Sequence, residues 1–341
     1  MPNLDWKNLG FKYMDTHCHI EYQWRDGKWD EGRLVESPYM QMHMAAACLH
    51  YGQECFEGMK VFRQKSGRLV VFRPEDNAVR MQRTAVRTCM PPVPTDIFLE
   101  AIRRVVKANE DFVPPYGTGG SLYIRPLLIG TAPQIGVAPA DYYTFVIMVV
   151  PAGAYYKGGL KPVRAIILDD YDRAAPLGMG DVKVGGNYAA SIYAHEKAKH
   201  MGFPVELYLD AKTHTHVEEF ATSNFFGIKK NADSSVSYVT PDSRSVLPSV
   251  TNLSLKQIAA DLGWKVEVRP VPFEEIPEFA EIGACGTAVV VTPVSEVVRG
   301  DTSFKFGDGE SCGECTMKLY KAVQDIQYGE APDIHNWCVE I

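Results

Sequence analysis

The sequence has no apolar run near the ~20 residues that a membrane-spanning helix needs. Its longest, Tyr142–Pro151 (YYTFVIMVVP), has the length of a buried strand. It has no excess of positive charge: 35 Lys and Arg stand against 42 Asp and Glu, a net −7, which argues against duplex nucleic acid or an anionic membrane as partner. The opening MPNLDWKNLGFKYMD has no basic stretch followed by an apolar one, so no secretory signal is expected. Without export, the eight cysteines read as reduced thiols rather than a disulfide framework. No internal repeat and no block of like charge is visible, and 28 Gly with 22 Pro are too few for a low-complexity chain. What remains is a folded composition, 46% hydrophobic and 23% charged over 341 residues, long enough for two domains. The expectation is a cytoplasmic protein of enzyme size.

The first half alternates strand-like and helix-like runs. Met59–Arg63 and Leu69–Arg73 flank Lys65-Ser66-Gly67 and read as a hairpin. Asp76–Met90 reads as a helix stopped by Pro91-Pro92, and Thr95–Asn109 as a second, with Ile97, Ala101, Ile102, Val105 and Val106 on one stripe behind Thr95 as cap. Leu122–Ile129 and Tyr142–Val150 have the β-branched and aromatic content of strands. Pro151–Pro162 breaks both periodicities. The expected organisation is an N-terminal α/β domain over 1–155, a linker over 156–162, and a larger α/β domain over 163–341. In that second half, strands are expected at Val163–Leu168, Val205–Asp210, Asn224–Ile228, Lys265–Val268 and Thr287–Thr292. Helices are expected at Tyr188–His200, Asn252–Leu262 and Glu314–Tyr328.

Several constellations carry chemistry. His17-Cys18-His19 would project two imidazoles to one face of a strand, as metal-dependent hydrolases do, or form a plain polar strand edge. Cys312, Cys315, His335 and Cys338 have the ligand types of a zinc site, yet the helix-like Met317–Ile326 between them favours loop thiols. Gly178–Asn187 (GMGDVKVGGN) sets Lys183 among glycines ahead of a helix. It is neither a P-loop nor a Rossmann turn. A lysine desolvated there would lose proton affinity, as Schiff-base chemistry requires; otherwise it is a surface lysine. Arg80, Arg83 and Arg87 share one helical face, either solvated or anion-binding. Glu218 and Glu219 precede a small polar turn, and composition promotes neither.

Taken together, these stretches resemble a known family. Asp181-Val182-Lys183-Val184-Gly185-Gly186-Asn187-Tyr188 is similar to the lysine motif of branched-chain amino acid aminotransferases, pyridoxal-phosphate enzymes of fold type IV. His50-Tyr51-Gly52, Phe56-Glu57-Gly58, Met81-Gln82-Arg83, Tyr123 to Leu127, Glu219 to Asn224, Leu247 to Thr251 and Gly286-Thr287-Ala288 follow in the family's order. Asp325 to Gly329 resembles the larger, eukaryote-type members.

The resemblance implies an α+β chain of two α/β domains and a homodimer with a shared active site. It implies reversible amino transfer between L-leucine, L-isoleucine or L-valine and 2-oxoglutarate, alternating through pyridoxamine phosphate. Lys183 would carry pyridoxal 5'-phosphate as a Schiff base and shuttle the proton. Tyr188 would bond the cofactor's phenolic oxygen and Glu219 its ring nitrogen, with Thr222 beside it. Arg83, Val250, Thr251 and Thr287 would hold the phosphate. Tyr13, Phe56, Tyr123 and a partner subunit's Tyr51 would line the substrate pocket, with Thr287 and Ala288 at the carboxylate and Arg125 ordering the pocket. Three positions depart from the pattern. Val289 and Thr292 stand where larger members carry a redox cysteine pair. Ser249 replaces a common glycine ahead of Asn252, where a left-handed backbone would be strained. Phe220-Ala221 replaces smaller residues and would narrow the pocket. A D-amino acid aminotransferase or an aminodeoxychorismate lyase shares the fold type, and Tyr123-Ile124-Arg125 argues against both. From another class, a hydrolase using a metal on His17 and His19 remains the alternative.

Overall fold

Ser121–Gly130 (SLYIRPLLIG) and Tyr143–Ala152 (YTFVIMVVPA) alternate side chains between two faces. They pair antiparallel along their whole length, Ser121 opposite Ala152 and Gly130 opposite Tyr143. The computed structural model describes residues 4–6, 8–153 and 159–341; residues 154–158, including part of the expected linker, lie outside the described residues. Two compact units emerge. The first comprises described residues of Met1–Tyr155, Val182–Gly185 and Asp325–Ile341, the second those of Tyr156–Asp181 and Gly186–Gln324. The Lys183 segment, expected with the C-terminal domain, therefore clusters with the first unit. The physical reason is backbone bonding: the Phe56 N–H donates to the Lys183 carbonyl at 3.1 Å.

In the first unit the sheet runs Cys338–Glu340, Leu69–Phe72, Met59–Arg63, Ser121–Gly130, Tyr143–Ala152, His19–Arg25 and Lys28–Trp29, with Arg33–Val35 and Glu54–Phe56 paired at its side. One face is covered by helices Pro74–Arg87 and Thr95–Ala108. Phe98, Ala101, Ile102, Val105 and Val106 are all buried, as the amphipathic stripe requires. Phe98 stacks on Phe145 with ring centroids 6.0 Å apart. Pro74 opens its helix two residues earlier than expected, since proline is pre-set for the first helical turn. That helix closes at Arg87, and Cys89 turns left-handed at φ 54° before the prolines.

In the second unit the sheet curls on itself. Ser223–Lys230, Glu281–Gly286, Val290–Arg299, Val163–Ile167, Val205–Leu209 and His216–Phe220 pair in succession, and the last returns to the first to close a barrel. Its interior holds Ala165, Leu207, Val217, Phe225, Ile282, Val294 and Val297. Three expectations change here. The Tyr188–His200 helix is two, Gly185–Ala189 and Ile192–His200; the Ser191 hydroxyl donates to the Tyr188 carbonyl at 2.9 Å and competes with the ladder. The strand at Thr287–Thr292 begins only at Val290, with Thr287–Val289 forming a turn from Glu281–Gly286. Ser249 is not strained: at φ −81° it is extended, and its hydroxyl accepts from the Asn252 N–H at 3.2 Å, capping helix Val250–Asp261. No described helix is long and apolar enough to cross a membrane.

Candidate active site

The first unit fixes Lys183 through its neighbours. The Lys183 N–H donates to Thr84 Oγ1 at 3.2 Å, and the Thr84 hydroxyl in turn donates to the Arg80 carbonyl at 3.0 Å. The Gly185 N–H bonds the Glu54 carboxylate. Helix Pro74–Arg87 and strand Glu54–Phe56 thus pin the glycine-flanked segment. Lys183 Nζ lies 4.7 Å from the centroid of the Phe56 ring. Burial pulls the amine down to about 8, helped by the Arg80 and Arg125 guanidiniums and opposed by Glu57 and Tyr123. That is the lysine state nucleophilic chemistry uses.

Around the amine stand two buried or half-buried guanidiniums. Arg80, 8% exposed, is forked onto Glu57, 0% exposed, by two bonds of 2.7 Å. Arg125 lies 4.9 Å over the Phe56 ring and 5.3 Å over Tyr123, and donates to Tyr123 Oη at 3.0 Å. Among the described residues, the buried Arg125 Nε has no hydrogen-bond partner. Gly58 makes room for this cluster: a Cβ there would stand 2.2 Å from Tyr123 Oη.

Not every expected residue joins it. Arg83, the phosphate residue implied by the resemblance, is exposed; Arg80, one turn earlier on the same stripe, is the buried cation beside Lys183. The stripe itself was visible in the sequence, but the boundary of burial across it was not. Tyr13, 64% exposed, donates to Asp15 at 2.9 Å. It lines a cleft of about 200 Å³ with Arg125, Leu127, Val146 and Met148. Tyr51, at the end of the short helix Ala47–Tyr51, is exposed and bonds the Ile135 carbonyl, outside that lining.

In the second unit, Glu219 sits on strand His216–Phe220 directly opposite Asn224, across the Ala221-Thr222 turn. Its Oε1 lies 2.6 Å from an Arg173 guanidinium nitrogen and accepts the Leu247 N–H at 3.0 Å; Oε2 accepts from Asn224 at 2.6 Å. Glu218 faces other partners: its Oε1 accepts the Ser243 hydroxyl at 2.8 Å, and burial pushes its carboxyl up. The structure thereby separates the two acids that composition left equal. Val250 and Thr251 form the first turn of the helix capped by Ser249, where backbone N–H groups lack helical partners. Thr287 and Ala288 lie in a turn, Thr222 in another, and the half-buried Tyr188 in Gly185–Ala189. Sequence reasoning missed Arg173, a lone arginine in DYDRAAP with no periodic pattern around it.

The metal reading fails on ligand geometry. The His17 ring meets Asp111 at 3.0 Å, whereas His19 meets Glu21 at 3.1 Å. Among the described residues no three His, Cys, Asp or Glu side chains could hold a metal, and the Cys312, Cys315, His335 and Cys338 set is no exception. All eight cysteines are free thiols.

The chain matches the amino-transferase class IV family over residues 54–297. It is 46% identical to a branched-chain-amino-acid aminotransferase of Haemophilus influenzae, covering all of both chains, and 43% identical to one of Helicobacter pylori, covering 100% of this chain and 99% of that one. Among solved structures it is similar to a branched-chain amino acid aminotransferase from T.th., at 25% identity and a TM-score of 0.79 over 96% of this chain and 99% of that one. That enzyme was solved with pyridoxamine 5'-phosphate and complexed with N-(5'-phosphopyridoxyl)-L-glutamate. A desolvated lysine on a glycine-flanked segment, two α+β units and full-length likeness to transaminases agree: the chain belongs to the class IV amino-transferase family and has the fold type IV architecture.

Proposed function

We propose that the protein is a homodimeric, cytoplasmic branched-chain amino acid aminotransferase, passing the amino group of leucine, isoleucine or valine to 2-oxoglutarate. The observation that carries this is Lys183, with its amine drawn down to about 8 beside Phe56, Arg80 and Arg125. The donor set fits pyridoxal 5'-phosphate: a nucleophilic amine, an exposed guanidinium, Arg83, able to meet a phosphate, and a buried acid with its own counter-cation. When bound, that cofactor supplies an aldehyde for capture by amines and a ring that accepts the electron pair left at the substrate's α-carbon.

The chain's own residues do the rest. With the cofactor bound, Lys183 Nζ would take the proton from the substrate α-carbon and deliver it to C4′ of the cofactor, and run the reverse in the second half-reaction. Glu219 would hold a proton at the ring nitrogen, and Tyr188 would donate to the phenolic oxygen, with Thr222 flanking. Arg83, with Val250, Thr251 and Thr287, would receive the phosphate, since Arg80 is already forked onto Glu57. Phe56, Tyr123 and Tyr13 give the substrate's branched side chain an apolar, water-excluding wall. The buried Nε of Arg125 offers a donor for a carboxylate, and the Thr287–Ala288 turn offers backbone N–H groups for another. Exposed Tyr51 is the side chain we assign to the neighbouring subunit's pocket.

An absorbance spectrum of the purified protein tests the reading. A yellow band that bleaches with L-leucine alone and returns with 2-oxoglutarate is expected. A protein that stays colourless after addition of pyridoxal 5'-phosphate refutes it. Bleaching by D-alanine but not L-leucine would reassign the chain to the D-amino acid enzymes of the same fold.

A further inference from the structure

Arg173 is 8% exposed and Glu219 3% exposed, so both charges are almost wholly withdrawn from water. A buried charge left alone is costly, and such groups persist where each neutralises the other and its polar atoms are bonded. One guanidinium nitrogen of Arg173 does three things. It lies 2.6 Å from Glu219 Oε1, donates to the Gly180 carbonyl at 2.8 Å, and bonds the Ser245 carbonyl. Gly180 is what permits the approach: a Cβ there would stand 2.8 Å from that nitrogen and 2.2 Å from the Ser245 oxygen. The Leu247 N–H, two residues beyond Ser245, reaches the same Oε1 at 3.0 Å. Glu218 is the other acid nearby, yet among the described residues its Oε2 has no hydrogen-bond partner, and of the Arg173 nitrogens Nε has none either. The arginine's bonds therefore go to the acid on the Asn224 side and not to its neighbour in sequence.

We propose that Arg173 is a positioning residue of the transfer reaction: it keeps Glu219 ionised and aimed, and ties that carboxylate to the Ser245–Leu247 backbone ahead of helix Val250–Asp261. This rests on the reading of Glu219 as the acid at the cofactor's ring nitrogen. An ionised Glu219 leaves the shared proton on the ring, where it favours electron acceptance. A carboxylate stripped of its cation would draw that proton to itself. Arg173 touches neither substrate nor cofactor in this account; it acts through Glu219.

The test is a double-mutant cycle on the holoenzyme, comparing wild type, Arg173→Gln, Glu219→Gln and the combined variant. Two readouts are followed: the visible spectrum of the bound cofactor and the rate at which L-leucine bleaches it in a single turnover. Arg173→Gln is expected to shift the spectrum in the direction of Glu219→Gln and to slow bleaching by about tenfold or more. The combined variant should be no slower than Glu219→Gln alone, and Arg173→Lys should recover the wild-type spectrum and part of the rate. A wild-type spectrum and rate in Arg173→Gln overturns the proposal, as do losses that multiply in the combined variant. If Arg173→Gln does not fold, the same cycle run with Arg173→Lys decides: its rate loss must vanish in the Glu219→Gln background. An unaltered spectrum and rate in Glu219→Gln would instead strike the reading of Glu219 itself.

Discussion

Arg80 grips Glu57 with two N–H···O bonds of 2.7 Å each, between side chains 8% and 0% exposed. The fork geometry is one that lysine cannot reproduce, and it holds the Arg80 side chain inward on Glu57. Arg83, three residues on, shares the helical stripe but is exposed. The two arginines should therefore behave differently. Arg80→Ala leaves a buried carboxylate without its cation and is expected to cost about 3–5 kcal/mol of stability. Arg83→Ala is expected to stay within about 0.5 kcal/mol of wild-type stability yet to retain pyridoxamine 5'-phosphate much more weakly. Thermal unfolding and an equilibrium titration with pyridoxamine 5'-phosphate check both; an unchanged affinity in Arg83→Ala would remove Arg83 from the phosphate site.

Lys183 titrates near 8 in the folded protein against an ordinary 10.5, chiefly because burial disfavours its charge. Between those values the unfolded chain holds a proton that the folded one has released, so stability rises with pH across roughly pH 8 to 10.5. Below pH 8 the folded state carries the full penalty of a desolvated ammonium. Cofactor-free Lys183→Met should accordingly unfold at a higher temperature than cofactor-free wild type at pH 7. The gap should narrow as pH climbs toward 10.5. The same variant is expected to show no yellow band and no turnover. A pH-independent gap would mean the ammonium is solvated.

Gly58 leaves space that Tyr123 Oη fills. Gly58→Ala should push Tyr123 aside and, through the 3.0 Å bond between them, Arg125 as well. The expected result is a KM for L-leucine raised about tenfold or more with a smaller change in kcat, because binding geometry and not the amine is disturbed. Steady-state kinetics would show it, and an unchanged KM would remove Tyr123 from the pocket.

Ser249 caps the helix that begins at Val250. Ser249→Ala should lower stability by about 1 kcal/mol, while Ser249→Gly should cost only a few tenths. Denaturant unfolding of the two variants separates the cap from any role of the side chain at the phosphate.

Where periodicity dictates structure, sequence reasoning reaches the structure closely. Thr95–Ala108 has a clean apolar stripe, and its five buried residues follow it. The long pair Ser121–Gly130 and Tyr143–Ala152 was readable from β-branched and aromatic content. The motif around Lys183 was readable as chemistry only through its resemblance to a known family, since spacing alone left a surface lysine open. What escaped depends on distant chain. Arg80 and Arg83 differ only in which side of a burial boundary they fall on, and that boundary is drawn by Glu57, 23 residues from Arg80. Arg173 finds Ser245, 72 residues away, and no local pattern announces that. Thr287–Val289 is apolar enough to continue a strand, yet the antiparallel pairing of Glu281–Gly286 with Val290–Arg299 demands a turn there. Whether Ser249 would be strained depended on a backbone conformation that its own residue type does not fix, and the extended backbone of a helix cap removes the strain.

Strand Cys338–Glu340 pairs with Leu69–Phe72, Cys338 opposite Phe72, and Val182–Gly185 hangs on Phe56 and Thr84. The first sheet is therefore built from stretches of chain that leave the ribosome far apart in time. At roughly 5–20 residues per second, tens of seconds separate the emergence of Phe72 from that of Cys338. Throughout that interval the nascent sheet has an open edge along Leu69–Phe72, a template for wrong pairing. The protein cannot mature one domain at a time during translation, and a fragment cut at the middle of the chain would lack both its sheet edge and its lysine.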